Sequence, residues 1–161
     1  MIDTAARLAE LGIELPEPPG ALGAYVPYVI AGDLLLTSGV VPLIGGELRC
    51  AGVVGGDVDV ETAAEGARIC ALNLLALMRA ATGSLDAVRQ VLRLDGFVRS
   101  APGFTAQPKV LNGASDLVVA VLGERGRHTR TAVGAAELPM GAAVEVSAIA
   151  RIDPAELGRH V

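Results

Sequence analysis

An arginine and a glutamate, Arg130 and Glu145, stand among small apolar residues in the run RTAVGAAELPMGAAVEVSAIAR at positions 130–151. A guanidinium is a planar fork whose donors match a small carboxylate two at a time. A nearby carboxylate side chain can hold a water and relay its proton. Burying either group costs free energy unless it is paired or engaged on a ligand. The run predicts a buried hairpin: a strand, a Leu138-Pro139 turn, and a last strand over Ala143–Ile152. Charges also occur on ordinary half-exposed strands, so the residues alone leave both readings open.

Several elements must hold these side chains. In the last strand Val144, Val146, Ala148 and Ala150 take one face, and Glu145, Ser147 and Arg151 the other. A helix is predicted over Gln107–Leu122, with Pro108 in its first turn and Gly123 after its end. Asn112 within it is a poor helix former of the kind that usually faces solvent. The strongest helical pattern covers Val60–Thr82, capped by Asp59 and ended by Gly83, with Ala63, Ala67, Cys70, Leu74, Leu77 and Met78 on one face. Ser84 opens a brief turn, and a strand follows over Val88–Val98. There Leu92 and Leu94 alternate with Arg93 and Asp95, so one face is read as buried.

Nearer the start, Val29-Ile30 and Leu34–Thr37 flank a Gly32-Asp33 turn and predict a hairpin. Gly-rich residues 40–56 match no phosphate-binding motif and read as an irregular excursion. A short helix over Thr4–Leu11 leads into a Pro-rich connection at 15–23. Hairpin, helix, strand, helix, hairpin is the order of an α+β layered domain, one unit spanning 1–161 with 1–20 as an extension.

The 161 residues carry a net charge of −5, which works against general nucleic-acid affinity. Arg125, Arg127, His128 and Arg130 form a local basic cluster, readable as an anion site or as a solvated loop. Cys50 and Cys70 lack metal-ligand spacing and read as free thiols in a reducing, cytoplasmic setting; no secretory signal or membrane span is expected. The core draws on Ala, Val and Leu with almost no aromatics, so further burial through self-association is expected.

The fragments G-A-Y-V-P-Y-V at 23–29, L-L-L-T-S-G at 34–39 and G-G-D-V at 55–58 come in a telling order with A-L-N-L-L at 71–75, F-V-R at 97–99 and V-L-N at 110–112. Together with R-T-A-V…L-P…V-E-V…A-I-A between 130 and 150, they resemble the RidA/YjgF/YER057c/UK114 family, also called endoribonuclease L-PSP. G-E-R-G-R-H-T-R at 123–130 points to a divergent subgroup.

The resemblance implies a chorismate-mutase-like (YjgF-type) α+β fold, a mixed sheet with two helices on one face, assembled as a homotrimer with ligand clefts between subunits. It implies hydrolysis of reactive enamines and imines such as 2-aminoacrylate to 2-keto acids and ammonia, with no cofactor and no metal. The family's carboxylate-binding arginine falls on Arg130 and its water-positioning glutamate on Glu145. Substrate contacts fall on Tyr25, Ser38 and Asn112, and through backbone amides on Gly39 and Ala132. Ala132 stands where archetypal members often carry a cysteine, and the 41–56 segment and N-terminal extension are longer, so the cleft rim is expected to differ. From the residues alone Tyr25 reads equally as an edge-strand aromatic, Ser38 as a turn residue and Asn112 as a solvated helical position. A trimer that binds small carboxylates without turnover is the alternative function. A ribonuclease is a third, weighed against by the acidic charge, the scarcity of aromatics for base stacking and the lack of a catalytic His pair.

Overall fold

The computed structural model describes residues 3–21 and 23–156. Met1, Ile2, Leu22 and residues 157–161 of the expected 1–161 domain lie outside the described residues. Helix α1 (Thr4–Glu10) is capped by Asp3, whose Oδ1 accepts from the Ala5 and Ala6 amides at 3.0 and 3.1 Å. A hairpin of β1 (Tyr28–Ala31) and β2 (Leu34–Thr37) follows, turning at Gly32-Asp33 as its sequence requires. The Gly-rich excursion is more regular than its composition suggests. It contains a two-rung ribbon, β3 (Leu43–Ile44) and β4 (Glu47–Leu48), turned by Gly45 and Gly46 at φ 60° and 82°. Those left-handed values are what glycine permits at little cost.

Helix α2 (Val60–Thr82) starts where Asp59 Oδ1 accepts from the Thr62 amide at 2.7 Å and ends at Gly83, φ 79°. Strand β5 (Val88–Arg99), helix α3 (Gln107–Leu122), strand β6 (Thr129–Ala135) and strand β7 (Val144–Ile152) complete the chain's regular elements. Helices α2 and α3 touch through Gly113, where a Cβ would fall 1.9 Å from the Ala64 carbonyl oxygen. Gly113→Ala should therefore force the helices apart and lower unfolding stability by about 2 kcal/mol or more, read by denaturant titration. An unchanged midpoint would show that the interface yields.

The main sheet runs β1-β2-β7-β5-β6 and is mixed: β5 is antiparallel to β7 and parallel to β6. The expected hairpin across 130–151 is therefore not formed. Strand β5 lies between β6 and β7. The reason is the β5-α3-β6 crossover, which returns β6 parallel to β5 on its outer side. The chain then rounds the sheet end through 136–143 to place β7 on the inner side.

Helices α2 and α3 cover one face, burying Leu35, Val91, Leu94, Val98, Val144, Val146, Ala148 and Ala150. Leu92 departs from the expected alternation. The register of β5 against β7 shifts between Val91 and Arg93, and this bulge leaves Leu92 37% exposed. The opposite face carries Val29, Phe97 and Val133 at 40–50% exposure, with no described element across it. A smaller cluster of Val41, Leu43 and Ala142 anchors the ribbon to the sheet end. No helix among the described residues is long and apolar enough to cross a membrane.

Candidate functional site

Glu145 lies near the start of β7, opposite Phe97 on the sheet face that the helices leave uncovered. Its carboxylate rests against Gly39: a Cβ at that position would sit 2.0 Å from Oε1. The absence of a side chain at Gly39 is what admits the carboxylate. Burial raises the Glu145 carboxyl above the usual range for a glutamate. Tyr25, Gly39, Val41, Leu43, Pro139 and Glu145 line a cleft of ≈260 Å³. Ser38 contributes structure there: its Oγ donates to the Val26 carbonyl at 2.7 Å and its amide to Pro27 at 2.9 Å, which fixes the approach to Tyr25. The resemblance implied one site for Tyr25, Ser38, Gly39 and Glu145; Tyr25, Gly39 and Glu145 line this cleft, and Ser38 borders a small recess beside it that Tyr25 and Gly39 share.

Arg130 belongs to a second cluster. It lies on β6, the edge strand, opposite Leu94 and on the helix-covered side. Its Nη1 donates to Asn112 Oδ1 at 3.1 Å and Ser115 Oγ at 3.0 Å, and its Nη2 to the Pro108 carbonyl at 3.1 Å. Pro108, Asn112 and Ser115 recur at helical spacing along one side of α3. Three of the five guanidinium donors are thus taken. Nε–H and one N–H of Nη2 have no hydrogen-bond partner among the described residues. Ala132, two residues on, packs half-buried against the core.

Ser115 carries the arrangement one step further, to His128. His128 Nδ1 lies 2.6 Å from the Gly126 carbonyl, which can only accept, so Nδ1 carries a proton. In the neutral ring, Nε2 accepts from Ser115 Oγ at 2.9 Å, and Oγ accepts from Arg130. The rest of the basic cluster disperses. Arg125 turns inward to the Asp86 and Val88 carbonyls, at 3.1 and 2.8 Å, and Arg127 pairs with exposed Glu124. Sequence reasoning had left Ser115, Pro19, Gly20 and Pro139 unassigned. The Asn112/Ser115 spacing on a helix was a readable signal, whereas the cleft-lining prolines and glycine gave none.

The two clusters do not meet within one chain. By register Arg130 and Glu145 differ by two strands and three residues, about 14 Å of backbone, and lie on opposite sides of the sheet. One holds an oriented cation, the other a half-buried acid whose carboxyl is raised by burial.

A family model described as "YjgF/chorismate_mutase-like, putative endoribonuclease" matches residues 5–152. The chain belongs to the YjgF/RidA family. It is 46% identical over 152 residues to Protein TCP17 of Trypanosoma cruzi, covering 92% of this chain and 94% of that one. Its fold is similar to that of protein Atu1372 of Agrobacterium tumefaciens, with TM-score 0.87, 48% identity and coverage of 93% and 92%. It is also similar to E. coli TdcF, solved with bound serine, with TM-score 0.62, 26% identity and coverage of 85% and 94%. The mixed sheet with helices on one face is the fold of this family. The drop in TM-score between those two structures places the chain nearer Atu1372 than TdcF.

Proposed function

We propose that this YjgF/RidA family member hydrolyses reactive 2-imino acids, as a homotrimer in which the Glu145 cleft of one subunit meets the Arg130 cluster of the next. The observation that carries this reading is the division of one chemistry between two surfaces of the chain. Arg130 is held at three points with donors left over, and Glu145 is a half-buried acid in a cleft. Supporting the assembly are the uncovered apolar face with Val29, Phe97 and Val133, and the unpaired outer edge of β6 beside Arg130. The serine bound by TdcF supports a small amino- or imino-acid ligand.

In this reading Arg130 grips the carboxylate and so fixes the adjacent C=N carbon. A water on Glu145 adds to that carbon, its proton passing to the carboxylate. Glu145 returns that proton to the imine nitrogen, giving the carbinolamine; as the C–N bond breaks, Glu145 takes the hydroxyl proton and passes it to the departing nitrogen, so ammonia leaves and the 2-keto acid remains. Imines hydrolyse unaided in water, so a modest acceleration suffices. Ammonia release from freshly generated 2-aminoacrylate, with and without the protein, tests this. Equal rates favour a trimer that binds small carboxylates without turnover. Sedimentation equilibrium tests the assembly, and a monomer would remove the shared cleft.

A further inference from the structure

A second cavity of ≈370 Å³ adjoins the Glu145 cleft, and Pro19, Gly20 and Leu43 line both. The Pro-rich strap at 17–21, the Gly45-Gly46 turn and Asn73 of α2 line the second cavity. Met140 stands at the rim, φ 60° and ψ 9°, the one non-glycine residue with positive φ among the described residues. Backbone held in that region is found disproportionately at ligand sites.

Asn73 is 1% exposed. Its Nδ2 donates to the Leu43 carbonyl at 2.9 Å and lies 3.4 Å from that of Val41. Both partners can only accept, so the amide is fixed with its NH₂ toward the 41–43 segment and Oδ1 turned away from it. Oδ1 has no hydrogen-bond partner among the described residues. Among the described residues the fully buried side-chain polar atom without a partner is Arg99 Nε, so Asn73 Oδ1 keeps a contact with solvent, and a ligand donor there would take the place of a water. Glu17 at the strap adds a second acceptor, and no Lys, Arg or His is among the lining residues.

We propose that this chamber selects the substrate: 2-imino acids whose side chain reaches past Leu43 and ends in a hydrogen-bond donor received by Asn73. The proposal rests on the imine-hydrolase reading of the Glu145 cleft and adds the substrate class to it. The smallest imino acids fill the first chamber alone. An amide-terminated side chain, as in the imine of glutamine, spans both.

Imines generated in situ from alanine, methionine and glutamine by an amino-acid oxidase provide the test. The glutamine-derived imine should show a kcat/KM about tenfold above the alanine-derived one and about fivefold above the methionine-derived one, the scale of one well-placed hydrogen bond. In Asn73→Leu the glutamine-to-methionine ratio should fall to about one. That ratio is read within one protein, so a general loss of folded material cancels. Should Asn73→Leu fail to fold, Glu17→Lys at the exposed strap should lower the same ratio. Equal or better turnover of the alanine-derived imine, or a ratio that neither variant moves, overturns the proposal. If no imine is turned over, calorimetry with the parent amino acids decides. Tighter binding of glutamine than of alanine and methionine keeps the specificity and removes the hydrolase reading, and equal binding removes both.

Discussion

Arg130→Ala should lower kcat/KM for carboxylate-bearing imines by about 10²–10³-fold, the loss of two charge-assisted hydrogen bonds to a carboxylate. Arg130→Lys should recover little of it. An ammonium is a point charge without the fork, and it cannot span Asn112, Ser115 and Pro108 while still presenting donors. Hydrolysis of the corresponding neutral imino amides should be nearly unaffected, because they offer no carboxylate to grip. Unfolding should move little, since Arg130 is half-exposed on an edge strand. Steady-state kinetics on acid and amide pairs check this. Equal losses on both would assign Arg130 to holding α3 against β6 and not to the ligand.

Glu145→Gln should lower kcat by about 10²–10⁴-fold with a much smaller change in KM, as expected when a proton relay is removed and shape is kept. The same substitution should stabilise the fold at neutral pH. Burial raises the Glu145 carboxyl, so the native state binds its proton more tightly than the unfolded chain. The native state is therefore disfavoured as pH climbs from the ordinary glutamate value through the raised one. Wild type and variant should unfold alike at low pH and diverge above it, with the variant the more stable. Thermal unfolding across that range checks the sign; a variant less stable at neutral pH would mean the carboxylate is compensated in the native state.

The helices were legible because their signals are local. Asp59 before Val60 and Gly83 after Thr82 mark α2 to the residue, and Pro108 with Gly123 does the same for α3. The alternation of Val144, Val146, Ala148 and Ala150 likewise fixed which face of β7 is buried. What failed was partnership. The sequence that joins β6 to β7 reads as a turn between paired strands, yet whether strands pair depends on where α3 deposits β6, and no residue of the turn encodes that. Leu92 failed for a related reason: a bulge is set by the register of two strands, and a one-strand reading cannot see it. Resemblance named the candidate residues one by one, and the structure gathers Tyr25, Ser38, Gly39 and Glu145 in one region and Arg130 with Asn112 in another. Which residues fall on which surface was not legible in the spacing, because spacing along a chain says nothing about sides of a sheet. Asn73 stood in the A-L-N-L-L fragment, but an amide within the apolar pattern of α2 carried no signal of a role.

Because the acid and the cation occupy different surfaces, damage to one leaves the other whole. Arg130→Ala and Glu145→Gln chains, each nearly inactive alone, should regain activity when unfolded and refolded together. In randomly mixed trimers of the proposed kind about a quarter of the crevices would draw a sound half from each kind of chain. Two chains with different lesions would thus complement one another, which a catalytic centre built within one polypeptide cannot do.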